Sequence, residues 1–353
     1  MSSTFTSSIL LKISVSTILC HHKGTLIDGA IASLLKSKGV ELQIIVATSD
    51  ETYFKKHRDD TNILVVVVQG GPAHKRNVAF RFAEHPLIAF FDDDVEVRPW
   101  AVYEMATALR VEGLGMVFGK LLNMEFPERF DEAGSFLTSS GFLWARAESG
   151  VLDTGQFDEA CPVLAGKSAS CMIHRKVFSE VGMFDASYEI LGEETDLSWR
   201  VWLYGYRVLY VPSSITLHAF NTKFKPRDFY VPRRVYFNGC RNYISMLLTN
   251  LEYPNMILPI TIQFIVWSMA GLCMLVTGKF EAGLYIFKGI SWVISHLPQI
   301  LSKKITVQKY RKVSDHILLP IIRRNPPISY YIDRFLSYIK TGRHGGSYEP
   351  VKS

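Results

Sequence analysis

Paired cysteines are missing from this chain. Its five cysteines (Cys20, Cys161, Cys171, Cys240, Cys273) are odd in number, widely scattered and include no CxxC. Neither a disulfide framework nor a zinc knuckle is encoded, and a reducing compartment is the simpler setting. Charge is sparse as well, at 20% of residues against 48% hydrophobic, which excludes a disordered chain. A mean hydropathy of only +0.12 argues against a polytopic membrane protein. The opening MSSTFTSSILLKISVSTIL lacks a basic n-region and a small-residue cleavage site. Its apolar run therefore reads as a first strand rather than a signal peptide, and the bulk of the protein is expected in the cytoplasm.

Excess positive charge is missing from most of the length. Of the net +6, residues 301–353 carry 11 Lys/Arg against 3 Asp/Glu, leaving 28 against 30 before them. A nucleic-acid binder would place its charge on the folded module, whereas a basic tail after apolar segments suits an anionic membrane surface, so no nucleic-acid partner is expected. The 353 residues allow two compact units, or one large unit with an appendage.

What is present begins with a rhythm. β-rich runs at 13–20, 42–47, 63–68 and 87–91 alternate with helical patterns at 28–37 and 70–86, which is the order of a mainly parallel α/β sheet. A helix is predicted over 99–110, a strand over 116–122, helices over 176–182 and 195–204, and a short strand over 208–211; residues 123–166 have weak periodicity. Residues 253–278 contain no Asp, Glu, Lys or Arg, enough to span a bilayer, with a buried core helix as the competing reading. Residues 280–302 are apolar but interrupted by Glu281, Lys288, His296 and Pro298, so they either close a hairpin or lie in the interface. Lys303, Lys304, Lys309, Arg311 and Lys312 follow, and the positive-inside rule assigns them to the cytoplasmic side.

Chemistry concentrates in a few places. Asp92, Asp93 and Asp94 end an apolar strand, where ligands bind in open α/β sheets. Three adjacent carboxylates repel one another unless a divalent cation such as Mg²⁺ or Mn²⁺ joins them. Alternation along an extended segment makes Asp92 and Asp94 the metal and nucleotide readers; a solvated acidic loop is the bland alternative. GEETDLSWR places Glu193, Glu194 and Asp196 at a helix start, either as an ordinary helix-dipole partner or as a general base. Gly70, Gly71, Lys75, Arg76 and Asn77 form a Gly-rich turn opening a basic helix start, suited to a diphosphate or merely solvated. Gly166-Lys167-Ser168 is no P-loop, because Cys161 stands where its first Gly is required. His218, after the short strand, is the histidine nominated as a metal ligand; His21 and His22 follow the first strand and receive no role.

The stretches VSTILCHHKGTLIDGAIASLL, GGPAHKRNVAFRFAEHPLIAFFDDDVEVRPW and GKSASCMIHRKVFSEVGMFDASYEILGEETDLSWRVWLYGYRVLYVPSSITLHAF, with the later Arg241-Asn242 pair, resemble the family 2 glycosyltransferases with the GT-A fold. The likeness is to the branch containing bacterial rhamnosyltransferases, and it spans residues 13–250. It implies a Rossmann-like, mainly parallel mixed sheet flanked by helices, followed by C-terminal membrane-associated helices. It also implies that Asp92 approaches the nucleotide, that Asp94 binds the metal with His218, and that Glu194 takes the general-base position, with Glu193 or Asp196 as substitutes. Arg76 and Asn77 match the basic segment beside the donor, and Gly166 the part beside donor sugar and acceptor. The family often has an aspartate contacting the base after its second strand; here Thr48 or Ser49 occupies that place and Asp50 is displaced.

The expected organisation is a catalytic domain over 1–250, membrane-anchoring or hairpin helices over 251–302 and a basic tail over 303–353. The expected activity is metal-dependent, inverting transfer of a hexosyl or deoxyhexosyl group from a nucleotide-diphosphate sugar to a lipid-linked or cell-surface glycan. Membrane lipids are expected partners, with the catalytic domain on the cytoplasmic face. Two alternatives are a membrane-anchored nucleotide-sugar-binding scaffold without turnover, and a nucleotidyltransferase. The latter calls for a Gly-rich loop after the first strand, where this chain has HHKGT.

Overall fold

A computed structural model describes residues 12–21, 24, 26–219 and 233–341. His22 and the basic residues Lys223, Lys225 and Arg227 lie outside them. In chain order the first half contains β1 (Ile13–His21), α1 (Leu26–Leu34), β2 (Val40–Thr48), α2 (Glu51–His57), β3 (Ile63–Val67), α3 (Pro72–Phe80), β4 (Leu87–Asp92), β5 (Val95–Val97), α4 (Ala101–Ala108) and β6 (Leu114–Asn123). Then come β7 (Phe130–Glu132), β8 (Ser135–Leu137), β9 (Leu143–Ala145), β10 (Cys161–Pro162), β11 (Ser170–His174), α5 (Arg175–Glu180), α6 (Glu193–Leu203) and β12 (Arg207–His218). A π-helical turn at Arg233–Phe237 leads into α7 (Asn238–Asn250), α8 (Tyr253–Val276), α9 (Phe280–Ser295), α10 (Leu297–Lys309), α11 (Asp315–Ile322) and α12 (Ile328–Thr341).

Ten of the described strands form one sheet in the order β10-β12-β6-β11-β4-β1-β2-β3, with β5 beside β12 and β7 beside β6, while β8 and β9 pair with each other apart from it. The four strands β3, β2, β1 and β4 are parallel, β11 is antiparallel to both β4 and β6, and β12 runs parallel to β6. The sheet is buried on both faces, which is why its strands are continuously apolar. Successive residues serve opposite layers: Ile18, Ile45 and Phe90 pack with α3, α5 and α6, while Leu19, Ile44 and Phe91 pack with α1 and α4.

Several elements differ from the sequence reading, α2, β5 and α7 among those it lacks, and three further differences matter here. β11 was not expected at all; SCMIH is short, and its central position is set by pairing rather than by pattern. β12 extends twelve residues, not four, because a register irregularity between Val211 and Ile215 absorbs Pro212 and lets pairing with β6 resume. His218 is thus the last residue of a strand, not part of a following loop. Finally, the stretch at 280–302 divides into α9 and α10 at His296 and Pro298.

The helices after residue 233 pack as a layer with its own core of Cys240, Ile244, Trp267, Met274, Ile286 and Val293. Among the described residues α8 is the one helix long and apolar enough to cross a membrane. The start of the segment expected to be a basic tail is folded against the sheet domain. Lys303 Nζ meets Asp185 Oδ2 at 2.5 Å and Asp196 Oδ1 at 3.3 Å. Glu252 and Asp315 exchange backbone-to-carboxylate bonds, at 2.7 Å and 2.9 Å.

Candidate active site

The register of the sheet builds the acidic site. β4 ends at Asp92, the chain turns through Asp93 and Asp94, and β5 pairs antiparallel with the end of β12, Val95 opposite His218. The backbone N–H of Ala219 then donates to the Asp94 carbonyl at 2.9 Å. This draws Asp92, Asp94 and His218 into one group whose ligand atoms all lie within 4.8 Å of one another. His218 Nε2 is 3.2 Å from Asp94 Oδ1 and 3.8 Å from Asp92 Oδ2. Two carboxylates and an imidazole are a donor set that Mn²⁺ or Mg²⁺ accepts, leaving room for phosphate oxygens.

Behind the imidazole stands a residue that the sequence did not single out. Asp131, on β7, accepts from His218 Nδ1 at 2.7 Å, and Lys167 Nζ donates to the same carboxylate at 2.6 Å. Burial opposes the His218 charge, but Asp94 and Asp131 outweigh it and raise the pKa to about 9. Burial likewise opposes the Asp131 charge, yet Lys167 and His218 hold its pKa down at about 2. Such a carboxylate fixes which nitrogen of the histidine faces a metal. FDE in a stretch of weak periodicity gave no signal for this.

Arg76 joins the two acidic clusters. Buried on α3, it places Nη2 2.8 Å from Asp92 Oδ1 and Nη1 3.5 Å from Glu193 Oε1, with its guanidinium over the Phe184 ring. Glu194 is half-buried next to it, and burial, then the neighbouring Glu193, raise its pKa well above the ordinary carboxylate range. The Glu193 pKa is raised by burial too, with Arg76 pulling against the shift. A carboxylate lifted in this way is suited to taking a proton near neutral pH.

The approach to Glu193 is held by α7. Leu191 and Gly192 both have left-handed backbones, φ 70° and 88°, a conformation costly for the leucine. Asn242 Nδ2 donates to the Ile190 and Leu191 carbonyls at 2.8 and 2.7 Å, and Arg241 Nη2 to the Ser187 carbonyl at 2.7 Å. The Arg241-Asn242 pair thus fastens the loop that aims Glu193 and Glu194.

The remaining candidates are placed as follows. Lys75 Nζ donates to the His21 carbonyl at 3.0 Å and Ser49 Oγ at 3.2 Å, tying the ends of β1 and β2 together. Thr48 is buried there against His21 Nδ1, at 2.9 Å. Asp50 caps α2, accepting from the backbone N–H groups of Thr52 and Tyr53. Asn77 clasps both backbone groups of Phe184. Gly166 lies where a Cβ would stand 2.8 Å from the Phe118 ring. Asp196 is fully buried, its carboxylate engaged by Arg200, Lys303 and Asn250. The structure therefore gathers Asp92, Asp94, His218, Arg76 and Glu193 into one contact network, with Glu194 beside it, and gives Asp50, Asn77 and Asp196 structural partners.

A mixed, mostly parallel sheet with such an acidic group at the carboxyl ends of its strands defines a GT-A-type glycosyltransferase fold. Residues 88–303 match the family described as glycosyl transferase family group 2, and the chain belongs to that family. Over 239 residues it is 24% identical to human polypeptide N-acetylgalactosaminyltransferase 9, covering 64% of this chain and 38% of that protein. Over 237 residues it is 24% identical to probable N-acetylgalactosaminyltransferase 8 of Caenorhabditis elegans, covering 60% and 56%. The chain thus spans less than two thirds of these relatives. Among solved structures it is similar to GalNAc-T7 with UDP, GalNAc and Mn²⁺, with a TM-score of 0.54 at 13% identity over 81% of this chain and 58% of that one. It is also similar to S. aureus TarS 1-349, with a TM-score of 0.52 at 15% identity over 84% and 89%.

Proposed function

We propose that this protein is a metal-dependent, inverting glycosyltransferase that moves a hexosyl or deoxyhexosyl group from a nucleoside-diphosphate donor to a hydroxyl of a lipid-linked or cell-surface glycan. It works at a membrane with its catalytic domain facing the cytoplasm. The observation that carries this reading is the single network holding Asp92, Asp94 and His218 at one end and Glu193, with Glu194 beside it, at the other, Arg76 between.

Asp92, Asp94 and His218 would hold Mn²⁺ or Mg²⁺, which when bound neutralises charge developing on the departing diphosphate. Lys75, at the joined ends of β1 and β2, supplies a cation where a nucleotide would cross the sheet. Arg76 is fixed between two carboxylates, so its charge is already aimed toward a diphosphate approaching Asp92. Glu194 takes the proton of the acceptor hydroxyl as its oxygen bonds to the anomeric carbon. The bond to the diphosphate oxygen breaks in the same displacement, the nucleoside diphosphate leaves with the electron pair, and the anomeric centre inverts.

The names of the curated relatives favour an N-acetylhexosamine donor, while the resemblance of the sequence to rhamnosyltransferases favours a deoxyhexose. A thermal-shift screen with Mn²⁺ separates them, because a donor present at a hundredfold its Kd stabilises the fold by about 2.7 kcal/mol. Glu194→Gln should keep that donor shift while turnover falls roughly 10²- to 10⁴-fold. Full turnover by the variant removes Glu194 from the base role, a retained anomeric configuration removes the single displacement, and tight binding without nucleotide release favours a scaffold.

A further inference from the structure

The α8–α9 hairpin has two apolar faces, and the catalytic domain covers only one of them. On α8 the inner face is fastened along its length: Pro259 lies against Gly141, Gln263 Nε2 donates to the Ser140 carbonyl at 3.1 Å, and Trp267 packs on Phe142. The opposite face carries Ile257, Leu258, Ile265, Met269, Leu272 and Val276, between 53% and 80% exposed, spaced so that they form one stripe. On α9, Ala282, Ile286 and Val293 are buried while Phe280, Leu284 and Ile294 stand exposed. On α12, Ile328, Ile332 and Leu336 repeat the pattern at helical spacing. A monomer in water rarely leaves so much apolar surface open.

We propose that this outer face lies in the plane of a lipid bilayer, sunk into one leaflet, with neither helix crossing. Charge identifies lipid as the occupant. Among the described residues of 253–341, Lys288, Lys309, Lys312, Arg323 and Arg324 stand exposed against Glu281 and Asp333, and Lys288 lies beside the α9 stripe with its ammonium 4.9 Å over the Tyr285 ring. A long cation with an apolar stem next to an apolar stripe is the usual pattern of an interfacial helix on an anionic leaflet. The fastening excludes a crossing. If α8 spanned the hydrocarbon, the loop at 138–142 bound to its middle, with Ser139 bonded to Asn325, would be carried to the same depth, where irregular polar backbone is not tolerated against lipid.

The hairpin also touches the catalytic loop. The Trp292 ring of α9 lies 4.8 Å from the Arg241 guanidinium, and Arg241 holds the Ser187 carbonyl in the loop before Glu193. The hairpin that carries the lipid face therefore packs against the residue holding the segment that aims the base, which suits an acceptor delivered from the bilayer. The inference rests on the membrane-associated reading for its occupant but not on sugar transfer, so it is tested without donor or acceptor.

The test is a depth profile of the full chain. Leu258→Cys, Ile265→Cys and Leu272→Cys, in a background with Cys20, Cys161 and Cys273 replaced by Ala, are each labelled with an environment-sensitive fluorophore. They are then mixed with phosphatidylcholine–phosphatidylglycerol vesicles carrying chain-brominated lipid. The outer labels are about 21 Å apart along the helix, and in-plane seating requires a blue shift at all three with equal quenching. Deepest quenching at Ile265 means a crossing and overturns the proposal. So does an absence of any shift, or a shift that needs only protein concentration, which would assign the face to a second copy. Unlabelled protein should float with the same vesicles, and Leu258→Glu/Leu272→Glu, both at exposed sites, should remain in the soluble fraction.

Discussion

Asp131→Asn is the substitution whose effect the geometry determines most closely. It is isosteric and keeps an oxygen for the 2.7 Å bond from His218 Nδ1, but it removes the charge that orients and polarises the ring. Loss of such a supporting carboxylate weakens metal binding roughly 10- to 100-fold, about 1.4 to 2.7 kcal/mol. A second effect has the opposite sign. With its pKa raised to about 9, His218 is protonated at neutral pH before it meets a metal, and the metal must displace that proton. Removing the Asp131 charge lowers the His218 pKa and eases the competition. The orienting effect therefore dominates near pH ~9, where the wild-type ring is losing its proton anyway, and the difference between the two proteins narrows toward pH ~7. Calorimetric titration of both proteins with Mn²⁺ under argon at the two pH values measures it. Equal affinity at the higher pH, or a deficit that grows as pH falls, would refute the role assigned to Asp131.

The raised Glu194 pKa places the acid limb of kcat/KM above the ordinary Glu range near pH ~4.3, and Glu193→Gln, by removing a like charge, should move that limb to lower pH. Both folded pKa values are raised, so the pair favours the folded state below its unfolded pKa, and that contribution is lost as pH rises through the folded values; urea titrations of the Glu193→Gln/Glu194→Gln double variant should show the corresponding slope flattened. Asn242→Ala leaves two carbonyls before Glu193 without their donor, and should cost about 1 to 3 kcal/mol in denaturant titration together with a fall in kcat. Lys303→Met takes a cation from Asp185 while Asp196 keeps Arg200; a lower Tm with donor affinity intact is the expected result.

Much of the first ninety residues was legible because most elements there announce themselves locally, α2 being the one that was not read. Short apolar runs rich in β-branched residues, alternating with helical patterns, read as the buried strands of a parallel sheet, and three carboxylates at the end of one of them have few physical justifications. Glu194 and His218 were legible as candidates, though His218 seemed to belong to a loop because Pro212 interrupts its strand. Asp131 was not legible: its significance comes from a pairing of β7 with β6 that no local pattern encodes. Asn77 is similar, since its bonds to the Phe184 backbone join residues 107 apart, whereas the Asp50 cap on α2 is made with residues two and three positions on. Lys303 and Lys304 read as part of a basic tail at a membrane surface, since nothing in a sequence says that a buried Asp196 and the Leu248 carbonyl await them.

The antiparallel β11 has a consequence for the order of assembly. It is the strand through which β3-β2-β1-β4 joins β6 and β12, and it emerges from synthesis long after β4. Until residues 170–174 have been made, β4 and β6 lack the strand they share and each keeps a raw edge, and β12, which carries His218, follows only at residues 207–218. Asp92 belongs to the β4 side and His218 to the β6 side, with Asp94 in the turn that joins them through β5. The metal group is therefore a seam, closed only when the last strand arrives, and an ion bound there would act as a late clasp on folding as well as a partner in chemistry.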